Sequence, residues 1–390
     1  MTIRRATLLP FFILLFISCS ATEPWVSSNY SEAPTNSPPA DTERAFSLFL
    51  IGDTGDPSLD EPDPVFELLK GAIRTEQAPS AVVFLGDNIY DDGFVPYPPE
   101  ERERSERIMA ANLDILEDPD VPGIFVPGNH DWWSNFEGMV EQERFIQNYP
   151  ANRGHMHFSP QAGCPGPEVW ELHPQLSVIT LDSEWFISGH ENYAGMADCP
   201  AVTRSEALAE LQAIQQQNRD RILVLTTHHP FYSRAEHGGH YTWKQHIFPL
   251  TELHSAAWVP LPVVGSLYPL IRNMGVGNQD FSARANRNYR RDVLAQFQDH
   301  PLFISAAGHD HNLQYFQLDT MHQIVSGSGS KTGYVVKGGD AGFLLADYGF
   351  AILNLYENGE LWLEFWTTQV PTGQNPVFRQ PIDHLDSLQF

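Results

Sequence analysis

The sequence predicts an α/β fold in which buried parallel strands alternate with amphipathic helices. Three continuous apolar runs, at 45–51, 81–85 and 123–126, are typical of strands that are buried on both faces. Between them lie a segment with helical spacing of apolar residues at 65–73 and a charged amphipathic segment at 100–117. This β-α-β-α-β order implies parallel pairing with right-handed crossovers.

The remainder of the chain continues this alternation and then changes to antiparallel strands. Apolar runs at 176–182, 221–227 and 301–307 are predicted strands. Thr203 and Glu206 have the spacing of a capping box, which predicts a helix that extends to about residue 217. The predicted antiparallel strands lie at 322–325, 343–346, 350–356 and 361–366, with a turn at 357–359 between the last two.

Size and charge limit the classes of partner. The chain has 390 residues, of which 42% are hydrophobic, so it can bury a large core. Its formal net charge of −26 opposes general affinity for nucleic acids and anionic lipids, which are polyanions. An anionic substrate would therefore need a strong local positive centre, which bound metal ions supply without basic side chains.

Residues 1–19 have the organisation of an export signal. Arg4 and Arg5 precede an apolar stretch at 8–17, which is too short to span a membrane, and Ser18 and Cys19 follow it. The end of this segment resembles a bacterial lipoprotein cleavage site, which predicts that Cys19 is lipidated and begins the mature chain. The alternative is a plain secretory signal. Both predict an exported protein, either anchored in the bacterial cell envelope or secreted.

The remaining cysteines form an even pair. Cys164 and Cys199 are predicted to form a disulfide, because an export compartment permits such bonds. The alternative is two free, buried thiols.

Composition also predicts the outer boundaries of the folded domain. Residues 20–43 are rich in Ser, Pro and Thr and lack an apolar period, which predicts a flexible linker. The predicted catalytic domain covers 44–372, and a loose tail follows at 373–390. Within the domain, residues 236–283 have several aromatic residues and prolines but no clean periodicity, which is typical of a lid-like insertion.

Polar residues follow five of the predicted strands. His309 and His311 come directly after the run at 301–307, and residues two apart on an extended backbone point the same way. In α/β folds, ligands collect at the carboxyl ends of the strands. The candidate metal ligands at these ends are Asp53, Asp87, Tyr90, Asn129, His228, His309 and His311. Each alone has the alternative of a turn, a helix cap or a core histidine. Together they are sufficient for two metal ions that share one carboxylate.

These motifs resemble those of a known family. Gly52-Asp53, Gly86-Asp87-Asn88-x-Tyr90, Gly128-Asn129-His130-Asp131, His228-His229-Pro230 and Gly308-His309-Asp310-His311 are similar to the five metal motifs of calcineurin-like metallophosphoesterases. Tyr90, with the segments 235–238 and 309–315, resembles the small, tartrate-resistant type of purple acid phosphatase. The resemblance covers about 45–370. It implies a four-layer αββα fold with two packed mixed sheets flanked by helices.

The resemblance also implies roles for the candidate residues. Asp53, Tyr90 and His311 would hold one metal, Asn129, His228 and His309 the other, and Asp87 would bridge them. The first metal would be ferric iron, because phenolate is a hard anionic donor, and the second Fe(II), Zn(II) or Mn(II).

Two further histidines match family positions next to the metals. His130 and His237 are candidates for substrate contact and protonation of the leaving group, and the alternative for each is a structural histidine. His229 is expected to point away from the site, because side chains alternate along an extended chain.

The implied activity is that of an acid phosphatase, which hydrolyses phosphate monoesters by in-line attack of metal-bound hydroxide. A phosphodiesterase or nucleotide hydrolase on the same two metals is an alternative. A non-catalytic, metal-binding surface lipoprotein is another. The expected partner is a small phosphorylated substrate. No nucleic-acid binding is expected, and contact with a membrane is expected only through the N-terminal lipid.

Overall fold

Two packed β-sheets with helices on their outer faces form the body of the protein. The computed structural model describes residues 20–28, 30, 37–252, 254, 256–319, 321–369 and 375–382. In chain order, the strands in this part are β1 (Trp25–Val26), β2 (Arg44–Ile51), β3 (Ser80–Phe84), β4 (Gly123–Phe125), β5 (Met156–Phe158), β6 (Glu168–His173), β7 (Leu176–Thr180), β8 (Ile222–Thr226), β9 (Phe303–Ala307), β10 (Leu313–Leu318), β11 (Met321–Ser326), β12 (Ala341–Leu345), β13 (Gly349–Tyr356), β14 (Leu361–Thr367) and β15 (Phe378–Ile382).

The helices lie mainly between strands and on the outside of the sheets. The α-helices in the described part of the chain are α1 (Pro64–Thr75), α2 (Pro99–Leu113), α3 (Asn135–Gln147), α4 (Ser183–Ser188), α5 (Glu191–Ala194), α6 (Arg204–Gln217), α7 (Trp243–Ile247), α8 (Leu267–Asn273) and α9 (Arg284–Leu294). Short 3-10 helices lie at Asp41–Glu43, Asp131–Ser134, Pro249–Glu252, Val264–Ser266 and Ala295–Phe297. The predicted capping box is present at the start of α6, where Thr203 and Glu206 bond reciprocally.

Both sheets are mixed. One has seven strands in the order β15-β14-β13-β2-β3-β4-β5, and the other has eight in the order β1-β12-β10-β11-β9-β8-β7-β6. The parallel strands are β2 to β5, at one side of the first sheet, and β7, β8, β9 and β11, at the centre of the second. The predicted class of two packed mixed sheets with flanking helices is confirmed. The antiparallel strand predicted at 322–325 is confirmed on one side only, because β11 pairs antiparallel with β10 but parallel with β9.

Successive side chains of each strand point alternately to the core between the sheets and to the outer core under the helices. Phe46, Leu48 and Leu50 of β2 belong to the apolar core between the sheets, while Phe49 and Ile51 pack in the outer core with the helices. A strand that is buried on both faces is apolar throughout, which explains the continuous runs in the sequence. Parallel strands within a sheet end at a common edge, and the loops after β2, β3, β4, β8 and β9 carry the predicted ligands.

The predicted linker at 20–43 is ordered where the structure describes its beginning, so this prediction was wrong for 20–28. β1 pairs with β12, and Ala21 is fully buried. The backbone of Ala21 donates to Val335 O at 2.9 Å and accepts from Ala346 N at 2.7 Å. The polar composition of 20–28 did not predict this pairing, because it depends on backbone hydrogen bonds to a strand that is distant in sequence and not on the side chains of 20–28.

The predicted loose tail at 373–390 also contains a strand, so that prediction was wrong for 378–382. β15 pairs with β14 and buries Phe378 and Ile382. The leader at 1–19, including Cys19, lies outside the described residues. Among the residues that are described, no helix has the length and apolar character needed to cross a membrane.

The predicted disulfide is confirmed. Cys164 and Cys199 are bonded, and both lie in the outer apolar core next to α3 and α5. The bond joins the segment before β6 to the segment that follows α5, and it closes a loop with a sequence separation of 35 residues.

We predict that the double variant Cys164→Ala/Cys199→Ala loses about 4 kcal/mol of unfolding free energy, because the closed loop restricts the unfolded chain. Urea denaturation of the oxidised protein and of the variant measures this difference. Wild-type protein treated with a thiol reductant serves as the control and should unfold like the variant. Equal midpoints for the oxidised wild type and the variant would contradict the prediction.

Candidate metal centre

The seven predicted ligands converge at the edge where the central parallel strands end. They come from loops after strands of both sheets, and all are buried except His311, which is partly exposed. Their side-chain donor atoms lie in two groups of three, with one carboxylate between the groups.

The first group consists of Asp53, Tyr90 and His311. The Tyr90 hydroxyl donates to Asp53 Oδ1 at 2.7 Å and lies 3.1 Å from His311 Nε2. His311 Nε2 is also 3.3 Å from Asp53 Oδ1. One phenol, one carboxylate and one imidazole therefore direct their donor atoms to a common point.

The second group consists of Asn129, His228 and His309. Asn129 Oδ1 lies 3.1 Å from His228 Nε2 and 3.0 Å from His309 Nδ1. The two imidazole nitrogens are 3.2 Å apart. His228 is held by its other ring nitrogen, Nδ1, which donates to the backbone oxygen of Leu85 at 2.9 Å. This contact fixes the tautomer so that Nε2 is free to act as a donor to a metal.

Asp87 lies between the two groups. Its Oδ1 is 3.3 Å from His228 Nε2, and ligand atoms of Asp53, Asp87 and His228 all lie within 4.8 Å of one another. The set combines carboxylate, phenol and amide oxygens with imidazole nitrogens, which suits iron, zinc and manganese. By donor chemistry and burial, these residues fit a pair of metal ions that shares Asp87.

The backbone at three of these positions is unusual. Asp53, Asp87 and His309 have positive φ values of 58°, 53° and 69°. Residues other than glycine rarely adopt this left-handed conformation, which costs about 1–3 kcal/mol per residue and is concentrated at functional sites.

Neighbouring glycines leave space for the carboxylates. A Cβ on Gly308 would lie 2.5 Å from Asp53 Oδ2, and one on Gly128 would lie 2.2 Å from Asp87 Oδ1. The glycines of these motifs are therefore required by packing against the ligands.

Electrostatics couples the buried groups. Burial alone would raise the pKa of Asp87, but His228 and His130 outweigh it and hold that pKa well below its usual range. Burial opposes the protonation of His228, but Asp87 dominates and raises its pKa to about 10. A cation bound here would take the place of that proton.

Two other ligands remain neutral in this environment. Burial lowers the pKa of His309 well below its usual value, and the nearby His237 lowers it further, so its nitrogen lone pair stays available. Burial and the charges of Asp53 and Asp87 raise the pKa of Tyr90 well above 10. The phenol therefore keeps its proton unless a cation stabilises the phenolate.

Asp131 fixes the backbone that supports the second group. Its carboxylate accepts from Gly128 N at 2.8 Å, Asn88 N at 3.2 Å, Asn88 Nδ2 at 3.1 Å and Gln142 Nε2 at 3.0 Å. Burial and the charge of Asp87 raise the pKa of Asp131 to about 7, while these donors act in the opposite direction. The two motifs that provide Asp87 and Asn129 are thereby joined through one side chain.

The two predicted catalytic histidines lie beside the two groups. The ring centroid of His130 is 4.6 Å from that of Tyr90, and His130 Nε2 is 4.0 Å from Asp87 Oδ2. The ring centroid of His237 is 4.1 Å from that of His309. Both side chains are partly exposed, so they can reach a substrate as well as the site.

The expectation for His229 was wrong in part. Its ring does not point away, because the centroid lies 4.2 Å from that of His309. Its nitrogens nevertheless face elsewhere, since Nδ1 is 2.8 Å from Ser183 Oγ and Nε2 contacts Gln279. The chain has left β8 at this point, so the period of an extended strand no longer applies.

Sequence reasoning missed three residues that contact the site. Asp280 Oδ1 lies 3.1 Å from His237 Nδ1, and Arg272 pairs with both Asp280 and Glu236. Lys331 Nζ lies 3.5 Å from the centroid of the Tyr90 ring. The first two belong to the predicted insertion, where no periodic pattern points to a site, and Lys331 follows a loop without a motif.

A cavity of about 620 Å³ opens beside the centre. Its lining includes His237, His309 and His311, together with Trp243 and Ser20. A larger cavity of about 830 Å³ is lined by residues near the start of β2, such as Arg44 and Glu76, and by none of the predicted ligands. The smaller cavity is therefore the one that matters for chemistry at the centre.

Comparison with known proteins places these features in context. A sequence profile of the calcineurin-like phosphoesterases matches residues 46–259. Tartrate-resistant acid phosphatase type 5 of Sus scrofa is 23% identical over 184 residues, which are 44% of this chain and 49% of that protein. The chain thus spans about half the length of this curated relative.

The chain is also similar to solved structures. GAP50, described as the anchor in the inner membrane complex of Plasmodium, has a TM-score of 0.53 and 16% identity, over 87% of this chain and 89% of that chain. A purple acid phosphatase from yellow lupin seeds has a TM-score of 0.49 and 14% identity, over 90% and 56% of the two chains. At these identities, the likeness to GAP50 shows the fold alone.

We predict that Asp131→Asn destabilises the protein by roughly 1–3 kcal/mol, because an amide NH₂ would face backbone and side-chain donors that need an acceptor. Urea denaturation measures the change. Asp220→Asn, at an exposed position before β8, is the matched control and should leave the unfolding free energy unchanged. An unaltered midpoint for Asp131→Asn would show that the four hydrogen bonds do not depend on the carboxylate.

Proposed function

Because the chain belongs to the calcineurin-like phosphoesterase family, we propose that it is a binuclear-metal phosphatase that hydrolyses phosphate monoesters. The observation that carries this proposal is the pair of donor groups with Asp87 between them. The fold of the family implies a dimetal site, and this chain supplies buried oxygen and nitrogen donors where such a site belongs.

The proposed ligand assignment follows the two observed groups. Asp53, Tyr90 and His311 hold one metal, and Asn129, His228 and His309 hold the other, with Asp87 shared. When bound, the two cations would lower the pKa of water and would offset the negative charge of the phosphate.

The chain's own residues would then orient the substrate. Lys331, above the Tyr90 ring, provides a positive side chain at the first group and is within 3.3 Å of Asp91 Oδ1. His130 is placed to contact a phosphate oxygen, since its Nε2 faces Asp87 while its Nδ1 contacts the backbone oxygen of Asp91.

His237 is the proposed group that protonates the leaving group. Its Nδ1 is held by Asp280, which leaves Nε2 as the nitrogen available to a substrate. Arg272 fixes Asp280 in turn and also binds Glu236, so two points of the insertion hold the segment that carries His237. A carboxylate behind an imidazole fixes its orientation and its proton, as general acid–base catalysis requires.

Tyr90 supports a ferric ion in the first position. The phenol is buried between carboxylates that raise its pKa, so a strongly charged cation is needed to ionise it. Ferric iron meets this need better than a divalent ion does. Fe(II), Zn(II) or Mn(II) is proposed for the second position, where the donors are neutral apart from Asp87.

Export and lipid anchoring form part of the same proposal. The leader at 1–19 and Cys19 support it by sequence, and the disulfide between Cys164 and Cys199 is of the kind that persists in oxidising compartments. The proposed protein is thus a phosphatase of the bacterial cell envelope that acts on small phosphorylated molecules outside the cytoplasm.

We predict that Asp87→Ala lowers kcat/KM for a chromogenic phosphate monoester by at least about 10³-fold, because both metals lose a shared ligand. Steady-state kinetics and metal analysis of the purified protein measure the two effects together. Asp220→Ala is the matched control and should keep both activity and metal content. Equal rates for Asp87→Ala and the wild type would remove the phosphatase proposal.

The same assay with a phosphate diester separates the alternatives. A diester rate that exceeds the monoester rate would favour a phosphodiesterase on the same residues. Bound metal without turnover of either ester would favour a non-catalytic protein.

We predict that the purified protein absorbs visible light through charge transfer from tyrosinate to ferric iron, and that Tyr90→Phe lacks this band. The reason is that Tyr90 is the phenol whose oxygen lies with Asp53 and His311. Absorption spectra of the two proteins at equal metal content measure the difference. Tyr149→Phe, at a partly exposed tyrosine between α3 and β5 and thus at the end of the sheet opposite the predicted ligands, is the control and should retain the band. A colourless, fully active wild type would overturn the ferric assignment alone.

A further inference from the structure

The insertion at 236–283 exposes an unusually apolar surface. Among the described residues, sixteen large hydrophobic side chains are exposed, and ten of these lie between 243 and 276. On α8 and at the residue that caps its C-terminus they recur with helical spacing, at Leu267, Leu270, Ile271 and Met274. We name the surface formed by these ten residues the apolar face. Besides the four at α8, it includes Trp243, Trp258, Val259, Val263, Val264 and Val276. Soluble proteins rarely expose so many neighbouring apolar groups unless a partner covers them.

The orientation of α8 is fixed by its polar side. Arg272 bonds to Glu236 and Asp280, and the Tyr268 hydroxyl also contacts Glu236. These contacts attach the helix to the segment that carries His237. Leu267, Leu270 and Ile271 of α8 and the C-terminal cap Met274 consequently remain on the solvent side, where Met274 is 74% exposed and Leu270 is 56% exposed.

Nine of the ten residues of the apolar face lie in a stretch of the chain that has no acidic residue. The chain has 49 acidic residues, yet none occurs between Glu252 and Asp280. Arg272 is the one Lys or Arg in that stretch, and it is paired. Transfer of this surface from water to an apolar phase would therefore not require a carboxylate to lose its hydration.

The beginning of the described chain lies beside the same insertion. Ser20 forms an isolated bridge with Val336, whose amide donates to the backbone oxygen of Arg234 at 2.9 Å. Ser20 and Trp243 both line the cavity of about 620 Å³ that reaches His237. The described chain therefore begins beside that cavity, at the residue that follows the proposed site of lipidation.

We infer that the apolar face docks on a lipid bilayer and turns the mouth of the catalytic cavity towards the membrane surface. This inference rests on the proposed lipidation of Cys19, which would place acyl chains next to the apolar face. Residues 20–28 are bonded to the second sheet, so the distance between the lipid and the folded body would be shorter than a flexible linker allows. The lipid would hold the protein at the bilayer, and burial of the apolar face in the interface would then fix its orientation there.

The test uses a fluorescent probe on the full, processed protein. In Met274→Cys, an environment-sensitive dye is attached to the introduced thiol, because Cys164 and Cys199 are bonded and Cys19 is proposed to be acylated. The matched control is Asn358→Cys, in the exposed turn between β13 and β14. This turn lies at the end of the sheet opposite the metal centre, because β13 ends beside the start of β2. Labelling of the unsubstituted protein shows how much dye Cys19 accepts.

Both labelled proteins are mixed with phosphatidylcholine vesicles, with and without a lipid that carries a quencher on its acyl chain. We expect the Met274→Cys emission to rise by roughly twofold and to be quenched from within the bilayer, whereas the Asn358→Cys emission stays constant. Equal responses at the two positions would overturn the inference, as would protein that remains in solution. A change that depends on protein concentration without vesicles would assign the apolar face to a second copy and also overturn it.

A charge substitution provides a second measurement. Leu270→Glu, in the background of labelled Met274→Cys, should abolish the quenching, and Asn358→Glu in the same background should leave it intact. Turnover of a soluble phosphate monoester by each variant checks that the fold and the centre are preserved. Loss of quenching with normal turnover supports docking. Absence of turnover in all variants, with quenching as expected, would remove the proposed phosphatase while leaving the membrane contact in place.

Discussion

Two buried carboxylates set the conditions for the whole candidate centre. Asp53 and Asp87 lie within the interior, each at a positive φ and each surrounded by imidazole or phenol groups. Isolated buried charges are costly, so such groups need a compensating charge. In the protein alone, His228 and His311 supply it, since the neighbouring aspartates raise the pKa of both imidazoles. Metal ions at the same points would satisfy the carboxylates more completely.

The sheets provide the constraint that makes this arrangement possible. Parallel strands from both sheets end at one edge, and short loops after them place donors from distant parts of the chain within a few ångströms. Gly128 and Gly308 lack a side chain at points where a Cβ would collide with one of these carboxylates. Asp131 then ties the loops after β3 and β4 together. Packing, backbone conformation and electrostatics therefore support the same positions.

The segment 236–283 links the centre to the surface of the protein. Arg272 bonds to Glu236 and Asp280 on its inner side, and Asp280 contacts His237. The same helix presents apolar residues to the outside. One ion-paired arginine thus connects the exposed helix to the segment that carries His237.

Much of this protein was predictable because its signals are local. Continuous apolar runs identified most central strands, and the Gly-Asp, Gly-Asn-His and His-x-His motifs identified the donors, since both depend on residues that are close in sequence. The strand at Trp25–Val26, the strand at Phe378–Ile382 and the contacts of Asp280 and His229 were not predictable in this way. Their partners lie far away in sequence. Backbone pairing with a strand edge and contact with a distant ring do not produce a periodic pattern in the sequence. The donor groups and the central strands can thus be recognised from the order of the residues. Which donors meet follows only from folding, because folding brings the separate strand ends to one edge.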